Sequence, residues 1–446
     1  MTDPPQASAP DEAHDDETAH VFELTPGQRL VGLASQFETS QHELLRLVSF
    51  VERQREVIDD ARARAREAVR AHQPAIDDET FDRSWDALQE AREVRPGDLE
   101  AGEPAEVTSV ALDRLFASLP QGYSFRYIAT ILGAHFESPG TSVLLSSLLG
   151  ALIADFEVLL AGLVRELIDL HPGLLSTSDR QFAWKDVIAY ESLDAFKESV
   201  VEKAVDSLLR ESYVEQMRWL ETRAHVTPPP IATDLTTREV LQRRHVHMHN
   251  GGRVSAPYLE NLRGLRPEPE LGTLLPVSAD YLRDAADRLL IVTLTITARI
   301  AYSVMKDPEE VEHVERFLGD SLYRLLQQAR HRVVDGVSRE VNSSPFQSGY
   351  TALVVKVNGW LALKRLGRFS ECEAEVRAWD TSALAQEFAL ARFALLDETA
   401  AAYEIVQRIR GTPSLSVEFW LSWPLLEELR TYEEGVRNTG TTPDAE

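Results

Sequence analysis

Cysteine is almost absent: Cys372 is the only one in 446 residues. A disulfide framework and a thiolate zinc site are therefore both excluded within one chain, and Cys372 reads as a buried or incidental thiol. Basic residues are scarce as well, with 46 Lys and Arg against 72 Asp and Glu and a formal net charge of −26. Coating a polyanion without sequence preference depends on counterion release and needs many cations. That class is excluded, but a small basic site on an acidic body is not. Long apolar runs are also lacking. The best, Val143 to Val164, is interrupted by Asp155 and Glu157, and an acid at the centre of a spanning helix costs about 2.5–3.5 kcal/mol. It reads as a buried core helix, and no membrane partner is expected. Residues 1–20 (MTDPPQASAPDEAHDDETAH) have neither the basic start nor the apolar run of a signal peptide. They are expected to form a disordered acidic tail, with the cytoplasm as the expected compartment.

What remains is ordinary for a soluble globular protein: 43 % apolar and 26 % charged residues. The length allows two to four domains. Helical spacing dominates. SQHELLRLVSFVERQREVIDDARARAREAVRA places Leu44, Leu45, Leu47, Val48 and Val51 near helical positions and continues as a charged, Ala-rich run. Pro96-Gly97, Pro104 and Pro120 break the stretch that follows. Val143–Leu170 is the strongest helix, ended by His171-Pro172-Gly173. LLIVTLTITARI alternates every second residue and is rich in β-branched residues, so a strand competes there with the preferred helix. After Asp307, the Trp360–Phe369 segment and the Leu390–Leu396 segment repeat a similar apolar spacing about thirty residues apart, and a third unit begins near Val417. This pattern is compatible with stacked helical hairpins like tetratricopeptide repeats, and with an ordinary helical domain. The chain is predicted to be all-α. The expected divisions are an acidic tail (1–20), an N-terminal helical region (21–130), a helical bundle (131–306) and a repeat-like helical domain (307–446).

The most informative segment is Arg243–Gly252 (RRHVHMHNGG). It holds three of the twelve histidines and two arginines, then ends in Asn-Gly-Gly. A helix is predicted from Thr237 to His249, capped by Thr236 or Thr237 and closed by the glycines. Phased at about 3.6 residues per turn, Leu241 and Met248 share one stripe, which is expected to pack. Arg244, His245 and His249 fall on its margins, while Arg243 and His247 point away, Arg243 toward solvent or a more distant phosphate. Helix-end capping by cations is the plain structural alternative. From Arg238 to Arg266 six arginines face two acids, Glu239 and Glu260, a basic island of the kind expected for local RNA contact. A neutral histidine can take a proton from a ribose 2′-hydroxyl, and an arginine can neutralise charge growing on phosphate oxygens. A metal reading also exists, because His245 and His249 are four apart on a helix. Val246 stands where the HExxH pattern needs glutamate, and no third ligand is evident.

Arg244-His245-Val246-His247-Met248-His249, followed by Asn250-Gly251-Gly252 and Tyr258-Leu259, resembles the signature of the HEPN superfamily of helical domains: Arg, a polar residue, a short spacer, then His near a helix end. The resemblance covers residues 135–305, with the Asp155–Glu157 helix similar to the family's earlier core helix. It implies a metal-independent endoribonuclease without cofactor, leaving a 2′,3′-cyclic phosphate and a 5′-hydroxyl. His249 would then be general base or acid, Arg244 would hold the scissile phosphate, and His245 would orient substrate or catalyst. Arg243, Asn250 and Arg253 are candidate substrate contacts. The resemblance further implies a homodimer, single-stranded or tRNA-loop RNA as partner, and a toxin or antiviral defence role; the repeat-like tail is expected to sense or recruit a protein partner at the C-terminal helices. A non-catalytic scaffold that binds RNA, nucleotide or protein is the competing function. Family members modified by a partner nucleotidyltransferase carry tyrosine two residues after the histidine; Gly251 stands there in this chain, so no antitoxin of that type is expected.

Overall fold

The computed structural model describes residues 24–93, 125–136, 139–175 and 182–439. The acidic tail expected at 1–20 and the breaks expected at Pro96-Gly97, Pro104 and Pro120 lie outside the described residues. The protein is all-α. Among the described residues the only β contacts are isolated bridges, such as Arg253 with Leu274.

Among the described residues the helices of six residues or more are α1 (Pro26–Arg53), α2 (Ala61–His72), α3 (Asp78–Glu93), α4 (Phe125–Phe136), α5 (Gly140–Leu170), α6 (Leu193–Leu209), α7 (Tyr213–Thr222), α8 (Leu235–His249) and α9 (Ala256–Asn261). They continue with α10 (Ala279–Val304), α11 (Pro308–Gln327), α12 (His331–Val341), α13 (Gly349–Arg365), α14 (Glu373–Ala378), α15 (Gln386–Leu395), α16 (Thr399–Ile409), α17 (Val417–Ser422) and α18 (Glu427–Thr439).

Helix α1 starts with a capping box in which Thr25 and Gln28 satisfy each other's backbone N–H, with Pro26 in the first turn. Leu30, Ala34, Phe37, Gln41, Leu44, Val48 and Val51 recur every three or four residues and are all buried, the stripe of a core-facing helix. That stripe packs on α5, α10 and α11. Polar cross-links fix its position. Gln41 Nε2 donates to the Ala286 carbonyl at 2.7 Å, Arg29 pairs with Glu166 of α5 at 2.7 Å, and Glu38 accepts from Ser321 and Arg324 of α11 at 2.8 and 3.1 Å.

Helix α5 is long and apolar enough, by length and composition, to cross a membrane. Its Leu149, Leu152, Ile153, Phe156, Leu163 and Leu167 are buried in the core, whereas Val143, Leu144 and Val158 stay exposed. Helix α10 is helical throughout, so the strand alternative does not apply. Ser278 caps it, and residues 289–298 are buried without a break.

One core runs from Leu30 to Leu429. The expected divisions are therefore redrawn. Helix α1 belongs to the same core as α5 and α10 rather than to a separate N-terminal region, and the junction at 306/307 does not interrupt the packing. A smaller core of its own joins α2, α3 and α4 through Val69, Phe81, Trp85, Tyr127 and Ile131.

Candidate functional site

Helix α8 begins at Leu235, two residues before the predicted start at Thr237. Asp234 is the cap, accepting from Thr237 N at 2.7 Å, and it also pairs with Arg288 of α10. Thr237 is buried instead. At the far end, Asn250 N and Gly252 N both donate to the Val246 carbonyl, at 2.8 and 3.0 Å. Gly251 and Gly252 take φ values of +56° and +73°, the left-handed region that favours glycine. A Cβ on Gly252 would stand 2.8 Å from the His247 ring. The turn sends the chain back as a small lobe. Val254 N bonds the Thr273 carbonyl, and Leu275 N bonds the Gly252 carbonyl, at 2.9 and 2.8 Å. Val246, Val254, Tyr258, Leu262 and Leu275 form its apolar centre.

The predicted Leu241–Met248 stripe holds only at Leu241, which is half-buried against the main core. Met248 is 62 % exposed. The inward face carries Glu239, Val240, Arg243, Val246 and His247. Its centre is a buried carboxylate: Glu239 accepts from Arg243 Nε at 2.6 Å, from the Tyr258 hydroxyl at 2.8 Å and from the Tyr281 hydroxyl at 2.8 Å. The Arg243 guanidinium lies 4.0 Å from the centroid of the Tyr281 ring and donates to the Pro276 carbonyl at 2.9 Å. A buried charge whose hydrogen bonds are made fixes the orientation of the helix face. Burial, then the adjacent Glu239 carboxylate, pushes the Tyr281 and Tyr258 phenols upward. His247 points the same way, its Nε2 bonding the Leu275 carbonyl at 2.8 Å, and burial draws its imidazole below the ordinary histidine value. The expectation that Arg243 and His247 point outward is thus corrected: both are committed to the lobe.

Arg244, His245 and His249 occupy the outer side together. The His245 and His249 rings have centroids 4.7 Å apart and are tilted by 51°. Both residues are exposed. Arg244 is half-buried beside them. Its Nη2 stands 3.6 Å from Glu157 Oε2 of α5, a loose contact, and its Nε is buried without a hydrogen-bond partner. Met248 leans over Gly150 of α5, about 4.0 Å from where a Cβ would be. Asp155, the other acid of α5, is turned toward α1, where it accepts from the Ser40 hydroxyl.

Of the other candidate substrate contacts, Asn250 donates through Nδ2 to the Arg253 carbonyl at 2.6 Å, and Arg253 donates to the Gly272 carbonyl at 3.1 Å. These side chains tie the glycine turn to the lobe. The structure therefore gathers three of the six candidates, Arg244, His245 and His249, on one open surface; Arg243 is built into the lobe, and Asn250 and Arg253 are exposed at the glycine turn. Among the described residues no three His, Cys, Asp or Glu side chains cluster so as to hold a metal ion; the third histidine of the triplet is on the opposite side of the helix. Sequence reasoning missed Glu239 as an organiser. Its signal was present, since a glutamate four residues before an arginine on one helix is a paired spacing. No family model, curated protein or solved structure matches this chain.

Proposed function

We propose that the protein is a metal-independent endoribonuclease of HEPN type whose site is Arg244, His245 and His249. The observation that carries this reading is the exposed imidazole pair, 4.7 Å between centroids, next to a guanidinium whose contact with Glu157 is loose. Two histidines at that separation can divide proton transfer between them, one neutral and one charged. The neutral ring takes the 2′-hydroxyl proton. The 2′-oxygen then forms its bond to phosphorus as the phosphorus–O5′ bond breaks, and the second ring gives its proton to the departing 5′-oxygen. His249 is one of these groups and His245 its complement. Arg244 stabilises the charge that builds on the non-bridging oxygens. The products are a 2′,3′-cyclic phosphate and a 5′-hydroxyl.

The Glu239 network supports the reading indirectly, because a site works only when its supporting shell holds it still. Net acidity elsewhere favours a local RNA contact over a general one. A homodimer in the cytoplasm with a toxin or defence role is part of the same proposal. The exposed Val143, Leu144 and Val158 on α5, the helix that carries Glu157, offer apolar surface for pairing.

The test incubates purified protein with total tRNA and with a single-stranded RNA, in the presence of EDTA, beside His249→Ala, His245→Ala and Arg244→Ala. Cleavage by the unchanged protein only, with cyclic-phosphate ends, is the expected result. Full cleavage by His249→Ala refutes the mechanism. Tight RNA binding without cleavage in every condition, unaltered by the three substitutions, favours the scaffold function instead.

A further inference from the structure

Between α11, α13, α15 and α17 lies a cavity of about 540 Å³, a size that accepts small ligands and peptide side chains. Its walls are aromatic. Tyr323 and Phe419 stack with centroids 5.3 Å apart, Tyr350 meets Phe388 edge-on at 5.3 Å, and Phe419 leads on to Trp423 at 5.1 Å. Tyr350 and Phe419 remain exposed at the mouth. The lining also carries three carboxylates, Glu312, Asp320 and Glu387, against one base, Arg316. None of these acids stands in an ion pair among the described residues; Glu387 lies beside the Tyr350 hydroxyl, and its Oε2 is buried without a hydrogen bond.

Aromatic faces and unpaired carboxylates both attract cations. The same groups repel phosphate and acidic peptides, which argues against RNA and against the chain's own acidic N-terminal residues as occupants. A second feature narrows the ligand. Asn358 is 3 % exposed and lines the cavity, and its Nδ2 is buried with no hydrogen-bond partner. A buried amide N–H without an acceptor is destabilising, so an occupant that brings one is favoured. A simple organic cation brings none. A polypeptide brings backbone carbonyls together with its side-chain charge.

We infer that this cavity is the docking site for a segment of a partner protein that carries an arginine or lysine flanked by apolar residues. The cationic group lies among the Tyr350 and Phe419 rings and the Glu387 and Asp320 carboxylates, the flanking apolar side chains cover the aromatic walls, and a backbone carbonyl accepts from Asn358.

The full-length protein is titrated with short capped peptides that have either arginine or glutamate between two leucines, and with ethylguanidinium as a free cation. Tryptophan emission reports occupancy, because Trp423 lines the cavity. Saturable binding of the arginine peptide is expected, with the glutamate peptide and ethylguanidinium each at least about tenfold weaker. The double substitution Asp320→Asn, Glu387→Gln and the separate substitutions Phe419→Ala and Tyr350→Ala are each expected to weaken the arginine peptide about tenfold or more while the melting curve is retained. The exposed Tyr350 keeps the test open if Phe419→Ala does not fold. No binding of the arginine peptide, equal binding of the glutamate peptide, equal binding of ethylguanidinium, or indifference to substitutions that fold would each overturn the inference.

Discussion

Arg243 and Arg244 are neighbours in sequence, and exchanging each for alanine separates framework from chemistry. The Arg243–Glu239 pair is well shielded, with side chains 16 % and 6 % exposed. Removing one partner from such a pair strands the other and costs about 3–5 kcal/mol. The hydrogen bond to the Pro276 carbonyl and the contact with the Tyr281 ring disappear with the same side chain, so they fall within that figure rather than adding to it. The Arg244–Glu157 contact is longer, 3.6 Å, with side chains 29 % and 48 % exposed, and a pair of that kind contributes about 0–1 kcal/mol. Two adjacent arginines thus differ by roughly 3 kcal/mol, or about two powers of ten in an opening equilibrium. Native-state hydrogen exchange reads this locally, at the amides of Gly252, Val254 and Leu275 that close the lobe. Arg243→Ala is expected to lower their protection by about a hundredfold, and Arg244→Ala to leave it within a few-fold while RNA cleavage is lost. Combining Arg243→Met with Glu239→Gln, which keeps an acceptor for one tyrosine and offers the other hydroxyl an amide donor, is expected to recover part of the loss. Unchanged protection in Arg243→Ala together with lost cleavage would refute the assignment of Arg243 to the framework.

Gly252→Ala places a Cβ against the His247 ring at a left-handed φ, so a loss of about 1–3 kcal/mol in urea unfolding is expected. Gly251→Ala, with φ +56° and open space around it, is expected to lose only about 1 kcal/mol. His247 and His331 are held below the ordinary histidine value by burial, so the folded state prefers them neutral. Their contribution to stability is present above about pH 6.5 and is lost as the pH falls below it toward the lower folded values. Urea midpoints measured on either side of that pH are expected to fall less in His247→Gln than in the unchanged protein. Phe156→Ala opens a cavity between the Phe37 and Tyr213 rings and is expected to cost about 3–5 kcal/mol in the same assay.

Much of the architecture was legible in the sequence because α1 and α5 carry helical spacing and recognisable ends. The Leu289–Ile300 segment was ambiguous for a physical reason. A helix buried on every side shows no amphipathic period, and β-branched residues then imitate a strand. The motif helix was legible in its extent and in the grouping of Arg244 with His245 and His249. Its buried face was not. Apolar spacing marks a face only when apolar residues fill it, and the lobe side of α8 is held by the helix's own Glu239, whose tyrosine donors, Tyr258 and Tyr281, lie 19 and 42 residues away. No local pattern announces such partners. The same holds for the boundary after residue 306, which the extent of the resemblance and the repeat-like spacing implied and the shared core does not observe.

Helix α1 has a consequence for how the protein is made. It is synthesised early, yet the partners that fix it come late: Gln41 waits 245 residues for Ala286, and Glu38 waits 283 residues for Ser321. At about 5–20 residues per second the ribosome takes on the order of 12–60 s to deliver them. For that interval the stripe from Leu30 to Val51 has no finished core to enter, although α5 emerges part-way through and offers a first surface. Nascent chains stalled before residue 280 will therefore present an incompletely covered apolar stripe to whatever binds unfolded protein, and those stalled after α11 has emerged will not.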